Sequence, residues 1–141
     1  MNIGRLMVDP AQLSLKVVIR CRNYQASRRF YAQILGLEVL QEWEEVEGKG
    51  CILGFDSSGV GGWLEIYQMT EQDPRYDPAF AKPLTNDKID VQLQTSRLDH
   101  WIAALAEQWP FEGPENLPWG QRWIQLRDPD DLLIAIYEEL T

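Results

Sequence analysis

At 141 residues and 45% hydrophobic content, the chain is long enough for one ordinary domain, or for two small modules sharing a core, and its composition excludes a disordered chain. Thirteen Lys and Arg against 22 Asp and Glu leave a formal charge of −9, with no basic stripe able to displace phosphate counterions. Nucleic acid is thereby excluded as a partner, and cationic or neutral ligands are favoured. No run approaches the ~20 apolar residues that a membrane span needs, so no membrane partner is expected.

Met1 to Leu15 lacks the sustained apolar core of a signal peptide, and the expected setting is the cytoplasm. Residues 1–12 carry Asp9-Pro10 without a clear period and read as a short leader lying against the body or a partner subunit. Leu15 to Arg20 alternates as a strand, with Leu15, Val17 and Ile19 on one face and Lys16, Val18 and Arg20 on the other. Asn23 is a good N-cap for a helix over about Tyr24 to Leu35, in which Ser27, Phe30, Tyr31, Ile34 and Leu35 recur at helical spacing and Gly36 terminates. Three strands follow: an acidic one over Glu38 to Val46, an apolar one over Cys51 to Phe55, and an alternating one over Trp63 to Met69, with glycines in both connections. Cys21 and Cys51 sit among apolar neighbours without metal-ligand spacing and read as free, buried thiols.

Thr70 to Asp87 carries Pro74, Pro78 and Pro83 and no sustained period, which marks a linker. The pattern then restarts. Lys88 to Thr95 alternates as a strand, and Ser96-Arg97-Leu98-Asp99 fits a capping box for a helix carrying Leu98, Trp101, Ile102, Leu105 and Trp109 on one face and ending at Pro110. The chain closes with a hairpin, an alternating run Arg122 to Arg127 and an apolar run Leu132 to Tyr137. Between them Pro129 fixes its own φ, while Asp130 and Asp131 can accept nearby backbone N–H groups. Strand, helix and short strands thus occur twice, predicting an α+β fold of two βαβββ modules, about 14–69 and 88–140, joined by linker 70–87 within one domain over 1–141.

Three stretches carry a family resemblance. FYAQILGLEV, Phe30 to Val39, looks like a first-helix signature; Pro118 to Arg122 reads Pro-Trp-Gly-Gln-Arg; and Asp128-Pro129-Asp130 precedes the final apolar strand. Together they resemble the glyoxalase/bleomycin-resistance/extradiol dioxygenase, or vicinal-oxygen-chelate, superfamily over about Ser14 to Leu140, and the lead-in Pro118 to Arg122 is similar to its bleomycin-binding branch. The resemblance implies a curved mixed sheet around a cleft, built by one chain or by two, and a homodimer in which modules or the N-terminal arm can be exchanged. In the family's enzymes, His and Glu at one position on each of four strands hold a divalent metal. By motif those positions fall on Lys16, Glu65, Asp90 and Ala135. Ala135 has no donor atom and a charged lysine has no lone pair, so a metal site would be degenerate.

Face parity predicts what the cleft presents. Each helix covers the more apolar face of its sheet, leaving Lys16, Val18 and Arg20, then Trp63, Glu65 and Tyr67, then Asp90, Gln92 and Gln94 to line the open side. Glu65 and Asp90 can be read as a residual metal site, as an acid/base pair or as anionic partners of Lys16, and the last is favoured. The one histidine, His100, falls in the first turn of the second helix, away from the cleft, and Trp101 and Trp109 fall on that helix's core face. Trp63, Trp119 and Trp123 are free to line the cleft or to pack at a subunit interface. An aromatic, acidic cleft suits a flat cation. The expected function is metal-independent binding of a small aromatic or cationic ligand, such as a glycopeptide antibiotic, with no cofactor. Its contact residues would be Lys16, Arg20, Trp63, Glu65, Tyr67, Asp90, Gln92, Trp119 and Trp123. The alternative is a metal-dependent lyase or dioxygenase with a rearranged site, in which Glu65 is catalytic.

Overall fold

The computed structural model describes residues 13–55, 61–81 and 88–140; the expected leader 1–12 lies outside the described residues. The first module runs β1 (Lys16–Arg20), α1 (Tyr24–Arg28), β2 (Glu38–Glu45), β3 (Gly48–Gly54) and β4 (Trp63–Met69). A short helix α2 (Tyr76–Phe80) interrupts the expected linker. The second module runs β5 (Val91–Gln94), α3 (Leu98–Leu105), β6 (Glu112–Leu117), β7 (Gln121–Arg127) and β8 (Leu133–Glu139). Each module is a four-stranded mixed sheet, ordered β1-β4-β3-β2 and β5-β8-β7-β6, in which the first and last strands pair parallel and the rest antiparallel. This is the expected pair of βαβββ modules.

The first helix starts as expected, with Asn23 Oδ1 accepting the Ala26 N–H at 3.1 Å. Its second half departs from the expectation, because α1 passes into a π-helical stretch, Arg29–Ile34, closed by Leu35 N–H to Phe30 C=O at 2.9 Å. The wider turn puts Phe30, Tyr31, Ile34 and Leu35 all into the core. Gly36 then leaves the helix at φ 73°, a left-handed conformation open to glycine.

Three expectations in the second half need correction. The Ser96 capping box does not form: Arg97 is the N-cap, the Glu138 carboxylate on β8 accepts the Leu98 N–H at 3.3 Å, and Asp99 pairs with Arg122 at 2.6 Å. A carboxylate delivered across the sheet satisfies the donor that a local cap would have taken. Strand β5 begins at Val91 rather than Lys88, which leaves Ile89 and Asp90 ahead of it. Helix α3 ends at Leu105, so Trp109 lies beyond it; its indole donates to the Arg127 carbonyl at 2.7 Å and packs on Phe30 at 4.8 Å.

The core lies between the helix-covered faces of both sheets, where Cys51, Leu53 and Ile66 of one meet Ile124, Ile134 and Ile136 of the other in one buried cluster. Cys21 and Cys51 are buried and free, as expected. Across this interface Asp128 is buried, and its Oδ1 accepts the N–H groups of Asp130 and Leu132 at 2.8 and 2.9 Å while its Oδ2 accepts the Tyr31 hydroxyl at 2.7 Å. The turn-forming acceptor is therefore Asp128. Asp130 instead receives the Arg22 N–H from the first module. Burial pushes the Asp128 carboxyl above the usual aspartate range, outweighing the pull of its three donors.

Tyr31→Phe removes one of those donors from a buried acceptor and is expected to cost about 1–3 kcal/mol in chemical denaturation. A carboxyl whose folded pKa is raised contributes stability that is complete below the ordinary aspartate range, near pH 3.9, and is lost as pH rises through the raised value. Asp128→Asn is therefore expected to flatten the decline in unfolding free energy above about pH 4, relative to wild type.

Candidate functional site

The face of each sheet turned away from the helices carries the candidate site. Strand register sorts its residues into rows. In the first sheet Val18 lies beside Glu65, Ile52 and Gln41, and the next row runs Arg20, Tyr67, Gly50, Trp43. In the second, Gln92 lies beside Ala135, Gln125 and Glu112, and the next row runs Gln94, Tyr137, Trp123, Glu115. The two modules thus present matching rows, with Glu65 and Ala135 in equivalent places.

Lys16, Glu65 and Trp63 lie on the predicted face, and Lys16 Nζ reaches Glu65 Oε1 at 2.8 Å. The Glu65 side chain is 16% exposed and that of Lys16 44%, so the acid is the sheltered partner. Arg20 is exposed at the end of β1, opposite Tyr67, whose hydroxyl donates to the Glu47 carbonyl at 3.2 Å. Gln92 and Trp123 lie on the open face of the second sheet, whereas Asp90 precedes β5 and is exposed. Trp119 is 63% exposed, edge-on to Trp123 at 6.3 Å, with its indole N–H held by Gln121 at 2.9 Å. His100 is exposed on α3.

Two aromatic residues of these rows were missing from the sequence-based set, Trp43 and Tyr137. The signal for Trp43 was Gly50: a Cβ there would run into the Ile66 carbonyl and meet the Trp43 ring at 2.8 Å, so the glycine admits both the neighbouring strand and the indole. Tyr137 pairs with Trp123 in the final hairpin and donates to Gln94 at 3.3 Å.

The register also places Val18 and Gln92 beside Glu65 and Ala135, with Lys16 and Asp90 one pleat earlier. The expected positions Lys16, Glu65, Asp90 and Ala135, with the register neighbours Val18 and Gln92, offer two carboxylates and one amide, and Lys16 already occupies Glu65. That donor set does not fit a metal centre. No cluster of three or more His, Cys, Asp or Glu suited to a metal occurs among the described residues.

A pair of βαβββ modules, each with one open sheet face, defines a class of small-molecule-binding and enzymatic proteins. Family comparison matches residues 14–136 to the Glyoxalase/Bleomycin resistance protein/Dioxygenase superfamily, and the chain belongs to it. Solved structures agree on the fold. An antibiotic binding protein, TnmS3, from Streptomyces sp. CB03234 is 21% identical, covering 91% of this chain and 98% of its own with a TM-score of 0.63. A glyoxalase family protein from Enterococcus faecalis is 24% identical over 93% and 100%, with a TM-score of 0.65. The trypanothione-dependent glyoxalase I of Leishmania major is 18% identical over 92% and 88%, with a TM-score of 0.64. No match is found among curated proteins. No described helix is long and apolar enough to cross a membrane.

Lys16 and Glu65 form a half-exposed pair, so a double-mutant cycle of Lys16→Met and Glu65→Gln is expected to return a coupling of about 0.2–1 kcal/mol in denaturant unfolding.

Proposed function

We propose that this protein binds a small aromatic or cationic ligand without a metal, a glycopeptide antibiotic being one such ligand. The observation that carries the reading is an aromatic row on the open face of each sheet, beside a row poor in metal donors. Tyr67 and Trp43 stand on one sheet, and Tyr137, Trp123 and Trp119 on or beside the other. The second face is also acidic: Glu115 and Glu112 sit across from Trp123 and Gln125 on β6. Indole and phenol faces attract a cation through their quadrupole, and the −9 net charge raises the local cation concentration. Lys16 neutralises Glu65 where the resemblance implies a metal ligand. The antibiotic-binding neighbour from Streptomyces supports the ligand class.

The reading includes a homodimer, since half-buried aromatics on open sheet faces are the surface a second copy would cover, closing a cleft of two chains. One observation favours an enzyme: a sheltered Glu65 retained at a family ligand position, which would serve a lyase or dioxygenase with a rearranged metal site.

Titration of tryptophan fluorescence with bleomycin and with a planar acridinium dye tests the proposal. Saturable quenching is expected, weakened about 2- to 30-fold by Trp123→Ala. Zn²⁺, Ni²⁺, Mn²⁺ and Fe²⁺ are expected to leave the melting temperature unchanged. A ligand confined to the folded state stabilises by RT ln(1 + [L]/Kd), so a metal-dependent rise would overturn metal independence.

A further inference from the structure

The opposite, helix-side faces of the sheets leave a groove between the modules. One section of about 380 Å³ is walled by Val17, Ile19 and Leu64 from the first sheet and Val91, Leu93 and Ile134 from the second. A second section, about 330 Å³, is walled by Leu35, Trp101 and Ile136. Leu37, Phe55 and Leu93 line both, so the sections adjoin; the first is predominantly apolar, and Gln94 and Thr95 add polar groups to the second. Each section falls in the size range of ligand pockets. Leu15, 70% exposed, also lines the first section.

The charges along it select among amphiphiles. Neither section is lined by Lys, Arg or His, and the only charged lining side chain among the described residues is Asp90, at the first section. Among the described lining residues a fatty carboxylate would find no counter-cation, and it would meet Asp90 and a protein of net charge −9. We infer that this groove is a binding site for a single-chain alkyl cation, its hydrocarbon lying between the modules and its ammonium head beside Asp90. Trp63 and Gln92 border this groove as well as the open faces, but none of Tyr67, Trp43, Tyr137, Trp123 and Trp119 does, so the site does not rest on the ligand proposed for the aromatic rows.

The test uses the full chain and alkyltrimethylammonium ions of eight to twelve carbons, below their micelle concentrations. Binding is read by calorimetry and by the fluorescence of Trp63 and Trp101, which line the groove. Burying each added methylene is expected to tighten Kd roughly fourfold. Dodecanoate is expected to bind at least tenfold more weakly than the twelve-carbon cation, and Asp90→Asn to narrow that gap. Val17→Trp, at an edge-strand position, fills the groove and is expected to weaken the cation at least tenfold. Phe55→Ala, beyond the end of β3, is a second variant expected to weaken it too. Glu65→Gln is expected to leave alkyl binding unchanged, while Val17→Trp leaves bleomycin quenching unchanged, which separates failure here from failure of the aromatic site. Affinity independent of chain length, equal affinity for dodecanoate, or undiminished binding by both groove variants would overturn the inference as detergent adsorption. If Val17→Trp instead changes the sedimentation mass, the groove belongs to a second copy, which would also overturn it.

Discussion

Asp128 places a carboxylate where the two modules meet, and the elements around it are arranged so that each of its oxygens finds a donor away from water. Two donors come from its own turn, the N–H groups of Asp130 and Leu132, and the third comes from the other module as the Tyr31 hydroxyl. The turn that makes this possible holds Asp131 at φ 68° and follows Pro129. Tyr31 is fixed in turn by the π-helical stretch and by an edge contact with Phe30 at 4.8 Å, and Phe30 packs on Trp109, which is anchored to the Arg127 carbonyl. The wide helical turn, the hairpin turn and the tryptophan beyond α3 thus constrain one another. Burial still disfavours the ionised form, so the interface holds its carboxylate at some energetic cost in exchange for a defined docking geometry.

With the helix sides locked together, strand alternation settles the rest. Residues two apart share a face, so every side chain that does not join the core faces the open side, and the cross-strand register aligns these into rows. The two modules are alike in backbone and differ in what the rows carry. Glu65 in one corresponds to Ala135 in the other, and Val18 to Gln92. Glu65 is the one carboxylate among these four positions, and the adjoining rows carry the aromatic side chains Tyr67, Trp43, Tyr137 and Trp123.

How much of this was legible follows from the range of each interaction. Period-two alternation and helical spacing are local, so the strands, the Asn23 cap and the face shared by Lys16, Glu65 and Tyr67 could be read from neighbouring residues. The cap of α3 could not, because its acceptor, Glu138, lies 40 residues away along the chain. Among the acids Asp128 to Asp131 only burial distinguishes the one that organises the turn, and burial is set by Tyr31, 97 residues distant. Pairing with β4 and β8 likewise sets Val18 and Gln92 directly beside Glu65 and Ala135, a register that motif spacing alone does not give. Trp43 stayed hidden until the register set it over Gly50.

Strand β1 is where the two faces come closest together in function. It is the edge of its sheet, and Val17 and Val18 are 36% and 40% exposed on opposite sides. Val17 and Ile19 look into the inter-module groove, while Lys16 and Val18 border Glu65 on the open face. An edge strand paired on one side only has fewer hydrogen bonds to lose than a central one, so it is the part of the sheet that a ligand on either face can most readily order or displace. The five residues of β1 connect the two candidate sites through the alternation of a single strand.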